Sequence, residues 1–197
     1  MSGGYRLTAW VVENWSRMAL PFAVLALVSL PVFSGGGNVQ LVLLYTLLPV
    51  YMIHQYEEHA HGRFVEFFNE TVGRGREVLT KVSAFWINIL EVWVVFLVSF
   101  YLARYVALGF AFVPVWLTLL NGLTHVVASL SLRRYNPGLY TSLALFFPWG
   151  LFLFAYFVGV VAYDLLFNVV GLLTAVVGHA LIVVYALRRR SKLEAGS

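Results

Sequence analysis

Residues 39–60 read VQLVLLYTLLPVYMIHQYEEHA: an uncharged apolar run up to Ile53, then His54, Glu57, Glu58 and His59 within its last turns. A helix needs about 20 predominantly apolar residues to cross a bilayer, so this stretch is long enough to span. Its polar end therefore falls inside or at the edge of the hydrocarbon, where ionisable groups are costly and mark functional sites.

Outward from this run, residues 18–33, 82–105, 108–132, 139–162 and 165–187 form further apolar stretches near the spanning length. The breaks between them hold turn chemistry: Ser34-Gly35-Gly36-Gly37-Asn38, Gly73-Arg74-Gly75, Asn136-Pro137-Gly138 and Tyr163-Asp164. The chain of 197 residues is 61% hydrophobic and 11% charged, more apolar surface than a soluble core of that size hides. The expected fold is all-α, a polytopic membrane helical bundle of about six transmembrane helices. Residues 1–17 read as an interfacial segment, because Leu7, Trp10, Val11, Trp15 and Met18 recur at helical spacing. Residues 18–190 read as the six-helix domain, and 191–197 as a tail with an appended remnant. Phe64, Val65, Phe67 and Phe68 interleave with Glu66, Asn69 and Glu70 as a second interfacial or helix-extending segment.

Of the 13 Lys and Arg residues, all but Arg104 fall on one side of the six spans. The positive-inside rule then puts both termini in the cytoplasm, in the plasma or inner membrane, with no removable signal peptide. The net charge of +4 sits in clusters at the ends of apolar runs, which orients a membrane protein and gives no reason for a nucleic-acid partner. The absence of cysteine excludes disulfides, iron–sulfur clusters and thiolate metal sites. A metal here needs His or carboxylate ligands.

At a hundred degrees per residue, His54, Glu57, Glu58 and His61 share one face of the second span, with His59 pointing elsewhere. Depth from the basic boundaries, at about 1.5 Å per helical residue, brings partners from other spans. His54 lies nine residues before Arg63, Glu91 ten after Lys81, His125 eight before Arg133 and His179 nine before Arg188. These four converge about 12–15 Å inside the boundary. Asn88 and Asn121 sit one turn from Glu91 and His125, placed to orient ligands or to bridge helices. Glu58-x-x-His61 and His54-x-x-Glu57 have the spacing that di-iron and di-manganese bundles use. The expected metal ligands are His54, Glu57, Glu58, His61, Glu91, His125 and His179, holding one or two ions of iron, manganese or zinc. Glu57, Glu58 and Glu91 are the candidate acid–base groups. A metal-free network of buried ion pairs and a metal-free acid/base site are the competing readings. Haem on His125 and His179 ranks last, since adjacent carboxylates suit a porphyrin poorly.

The run His54-Gln55-Tyr56-Glu57-Glu58, followed by Asn121-x-x-x-His125 and Tyr135-Asn136-Pro137-Gly138, resembles the HXXEE-domain family of small integral membrane proteins. The resemblance covers most of the chain and supports His54, Glu57, Glu58 and His125 as a functional group; it implies no particular reaction.

These readings point to a membrane metal-dependent enzyme that oxidises or hydrolyses a lipidic or otherwise hydrophobic small molecule, with membrane lipid as its surround and no oligomeric state implied. The alternatives are a metal-free acid/base lipid isomerase and a proton or divalent-ion transporter.

Overall fold

The computed structural model of the chain describes residues 3–34, 38–161 and 164–196. Among these every regular element is helical. The helices are α1 (Gly3–Ser34), α2 (Val39–His59), a short α3 (Arg63–Thr71), α4 (Lys81–Tyr105), α5 (Leu108–Leu132), α6 (Leu139–Val160) and α7 (Asp164–Ala195). Six helices are long and apolar enough to cross a membrane, the second continuing through α3. The expected turns at Gly35 to Gly37 and at Tyr163 lie outside the described residues.

Local chemistry sets the ends. The Asn38 side chain accepts from the backbone N–H groups of Gln40 (3.0 Å) and Leu41 (3.4 Å) and caps α2. Thr80 and Ser83 form a reciprocal capping box that starts α4. Helix α1 runs unbroken through the expected boundary at residue 17, although Pro21 has no N–H for the carbonyl of Arg17. In α4 the segment Asn88–Val94 is π-helical, as is Ser142–Phe146 in α6.

Helix α1 packs along α2, and α5 along α7, while α2 also touches α4, α5 and α6 and so forms the centre. Between apolar helices in lipid, close packing rather than the hydrophobic effect drives association. Small residues permit it: Ala19 and Ala23 on α1 are fully buried beside Met52. A Cβ at Gly171 would stand 2.6 Å from the Phe112 carbonyl oxygen, so α5 and α7 meet backbone to backbone. Leu47, Phe112, Phe146, Leu153 and Phe157 fill the middle, none of them exposed. The outside is apolar as well: Val28, Leu130 and Leu165 are more than 70% exposed, the inverse of a water-soluble surface.

The basic residues other than Arg104 gather at one end of the bundle. Arg17 Nη2 is 2.9 Å from His61 Nδ1, Lys81 meets Glu13 at 3.1 Å, and Arg134 grips Glu70 through two bonds of 3.0 and 3.1 Å. Arg190 Nη1 donates to the Val72 carbonyl at 2.8 Å. These contacts tie α1, α3, α4, the loop after α5 and the end of α7 together.

Candidate metal centre

The site is built on the last turns of α2. That helix stops at His59 because His61 and Gly62 both take left-handed backbone angles, φ 65° and 76°. The break removes His61 from the stripe that uniform helical counting drew, and leaves it against Arg17. Glu58 stays on the inner face, 4% exposed. Its carboxylate meets an imidazole on each side: His54 Nε2 lies 3.4 Å from Oε2, and His125 Nε2, from α5, lies 3.4 Å from Oε1. His59 Nε2 approaches Oε2 at 3.1 Å. The ligand atoms of His54, Glu58 and His125 all lie within 4.8 Å of one another, and all three residues are buried.

Proton accounting shows what this cluster lacks. The Thr141 hydroxyl donates its single proton to Glu57 Oε2 at 2.5 Å, so its oxygen accepts from His54 Nδ1 at 2.8 Å. The His54 proton therefore sits on Nδ1, and Nε2, fully buried and without a hydrogen-bond partner, turns a lone pair toward Glu58. His125 repeats the pattern. Its Nδ1 faces Asn136 Oδ1 at 3.3 Å while the Asn136 amide nitrogen donates to the His125 carbonyl, so the proton is again on Nδ1 and the lone pair on Nε2.

A second chain of bonds fixes His59. The Trp93 indole, which can only donate, bonds Gln55 Oε1 at 2.9 Å; Gln55 then donates to Asn88 Oδ1 at 3.0 Å. The Asn88 amide nitrogen, which also donates to the Ala84 carbonyl, is left to donate to His59 Nε2 at 3.0 Å. Two imidazole lone pairs, those of His54 and His125, thus face one carboxylate with no proton of their own to share, while that of His59 is taken by Asn88. A cation completes such a set.

The two imidazole-to-carboxylate separations are compatible with one. Two ligands about 2.1 Å from a tetrahedral ion stand about 3.4 Å apart, and both Nε2-to-carboxylate distances are 3.4 Å. A direct hydrogen bond of this type would close to about 2.7–3.2 Å. The carboxylate–Thr141–His54 relay and the Asn136–His125 bond are the outer contacts that orient metal-bound histidines. Hence His54, Glu58 and His125 could hold a metal.

Pro137-Gly138 closes the site from α6. Gly138 takes φ 99°, and a Cβ there would stand 2.6 Å from His125 Cε1 and 2.8 Å from His54 Cε1. Only a glycine lets the backbone lie this close to both rings.

Glu57 points the other way. It accepts from the backbone N–H groups of Tyr140 (3.1 Å) and Thr141 (2.7 Å), the Thr141 hydroxyl and Tyr135 Oη (2.8 Å). This is a carboxylate bound at the start of α6, where the helix leaves its N–H groups unpaired. Burial, and then the bond to Glu57, push the Tyr135 phenol up to about 12.

The chain belongs to the HXXEE family. The model of that family, described as "Protein of unknown function with HXXEE motif", matches residues 45–153. No curated protein matches the chain, and no solved structure does. In the HXXEE motif here, His54 and Glu58 face the centre while Glu57 anchors α6, so its two adjacent carboxylates have opposite surroundings. The matched region also contains His125 and the outer partners just described, Gln55, Trp93, Asn136, Gly138 and Thr141.

Beside the centre lies a cavity of about 310 Å³, walled by α3, α4, α5 and α7 and reached by Glu58, His59 and His125. Glu91, Asn121 and His179 line it but do not join the three-residue ligand group. Asn88 lines it too, with its amide turned to His59. Ala84 and Ile87 of α4 pack here in one cluster with Ile182 and Ala186 of α7, and Phe64, Phe67 and Phe68 of α3 line the cavity. Sequence reading gave Thr141 no role and turned His59 away from Glu58, and it named Gln55, Asn136 and Gly138 only as turn residues or within the motifs of the family resemblance.

Proposed function

We propose that this chain is an integral membrane metal-dependent enzyme acting on a lipidic substrate, with its basic end and both termini in the cytoplasm. The observation that carries the reading is the pair of 3.4 Å separations between imidazole lone pairs and one buried carboxylate. His54, Glu58 and His125 hold a single ion; bound there, a divalent metal with an open position supplies Lewis-acid activation of water. Hydrolysis is the reaction this three-ligand group favours. The same two-histidine, one-carboxylate set would also suit iron(II), in which case the reaction is an oxidation with dioxygen as the oxidant.

The chain's own residues prepare the site. Thr141 and Asn136 hold the two ring protons on the outer nitrogens, Gly138 lays backbone over both rings, and the phenylalanines of α3 keep bulk water from the cavity. The apolar wall of the cavity, with Phe64, Phe68, Ile87 and Ile182, supports a lipidic substrate. A conduit reading has less support: the cavity at the other end is walled by Leu41, Leu44, Phe96 and Phe100, with Arg104 and no carboxylate or imidazole.

The test is lipid turnover. Metal-loaded protein in liposomes of a total membrane lipid extract should convert one lipid class, read by mass spectrometry, and Glu58→Gln should abolish the conversion. Equal conversion by Glu58→Gln, or none of any lipid class by fully loaded protein, would overturn the proposal.

A further inference from the structure

Three side chains in the cavity, Glu91, His179 and Asn121, each turn an acceptor into it that has no hydrogen bond among the described residues. Among the described residues nothing bonds to the Glu91 carboxylate, which lies against α7: a Cβ at Gly178 would stand 3.3 Å from its Oε1. The next residue, His179, shares its Nδ1 proton with the Ala175 carbonyl at 2.9 Å. A carbonyl can only accept, so the remaining nitrogen, Nε2, is a lone pair in the cavity wall. Asn121 Oδ1, from α5, is buried with no hydrogen bond. Three helices therefore present three open acceptors, beside the Tyr51 phenol and next to apolar walls that include Phe64, Phe68, Ile87 and Ile182. A buried acceptor left open, as Asn121 Oδ1 is, is a net cost to the fold unless a ligand satisfies it.

Their complement is a group with three donors, no acceptor and a positive charge to meet the carboxylate. That describes a primary ammonium. A second metal ion fits less well, because Glu91 and His179 find no third His, Cys, Asp or Glu at ligand spacing among the described residues. We propose that Glu91, His179 and Asn121 bind the primary ammonium of a long-chain amphiphilic amine whose hydrocarbon lies along the apolar cavity wall. That this amine is the substrate rests on the enzymatic reading above; that it binds does not.

The experiment uses the full chain in zwitterionic nanodiscs, with dodecylamine, dodecanol and dodecyltrimethylammonium as probes and calorimetric binding as the readout, alongside metal content. Dodecylamine should bind at least about tenfold more tightly than either other probe, since hydrogen bonds to charged groups are worth that much. Glu91→Gln should erase the preference while retaining the metal; His54→Ala should lose the metal and retain amine binding. His179→Ala, which removes one acceptor and leaves the carboxylate, should weaken dodecylamine while leaving dodecanol unchanged. Equal affinity for dodecanol, or an amine preference that survives Glu91→Gln in folded protein, would overturn the amine site. So would a second equivalent of metal lost in Glu91→Gln. Metal retained in His54→Ala with amine binding intact would instead sink the metal reading alone.

Discussion

Replacing Gly138 by alanine separates two effects that usually come together. The residue sits at φ 99°, so any side chain costs about 1–2 kcal/mol of backbone strain. The added Cβ would also stand 2.6 Å from His125 Cε1 and 2.8 Å from His54 Cε1. Carbon contacts ordinarily settle at about 3.5–4.0 Å, so the loop or the rings must give by about 1 Å. Metal–ligand distances tolerate about 0.2 Å. Gly75 supplies the control: its φ is 81°, and a Cβ there meets nothing within 4 Å. Both variants should lose comparable stability from the backbone, read as thermal midpoints by intrinsic fluorescence. Only Gly138→Ala should lose metal affinity, by about 100-fold, the upper end of what disturbing the partners of metal-bound histidines does. Competition with a fluorescent chelator measures it. Wild-type affinity in Gly138→Ala, or an equal loss in Gly75→Ala, would refute the claim that this turn holds the two rings in ligating position.

Other substitutions probe the proton arrangement. Thr141→Val keeps the shape but removes the hydroxyl between His54 and Glu57, and metal affinity should fall about 10–100-fold; Thr141→Ser should recover most of it, and an unchanged Val variant would break the relay argument. For Tyr135, the folded phenol ionises near 12, against about 10 in an unfolded chain. A raised acid favours the folded state in its neutral form, so its contribution is whole below about pH 10 and is lost as pH rises through about 12. The alkaline ultraviolet difference between wild type and Tyr135→Phe should show that late midpoint; ionisation near the ordinary value would mean that the Glu57 contact does not hold.

Much of the architecture was legible because long uninterrupted hydrophobicity is a strong signal. Four of the six apolar runs end within a few residues of the observed helices, and the gathering of basic residues at one end needed only their order in the chain. The exceptions are the first helix, which begins at Gly3 because its amphipathic start joins the apolar stretch without a break, and the last, which continues through the basic residues after Leu187 to Ala195. Depth counting brought His54 and His125 to one level, and their rings lie 4.9 Å apart. Angular counting did less well. Uniform steps of a hundred degrees carried the stripe through His61, where left-handed backbone ends the helix, and turned His59 away from Glu58, which it meets. The π-helical stretch that holds both Asn88 and Glu91 likewise changes which residues share a face. The outer partners were illegible for another reason. Thr141, Gln55 and Trp93 are ordinary residues of apolar spans until the fold gives each a partner 38 to 87 positions away.

The most direct measurement is elemental analysis of protein purified without an affinity metal, comparing the wild type with His54→Ala and Glu58→Ala. The proton accounting around Glu58 predicts close to one equivalent of zinc, iron or manganese in the wild type, lost in both variants while their helical circular dichroism is retained. Wild-type protein that binds no metal even after controlled reconstitution would contradict it, and would leave the buried imidazoles and carboxylate as an acid/base or ion-pair network instead.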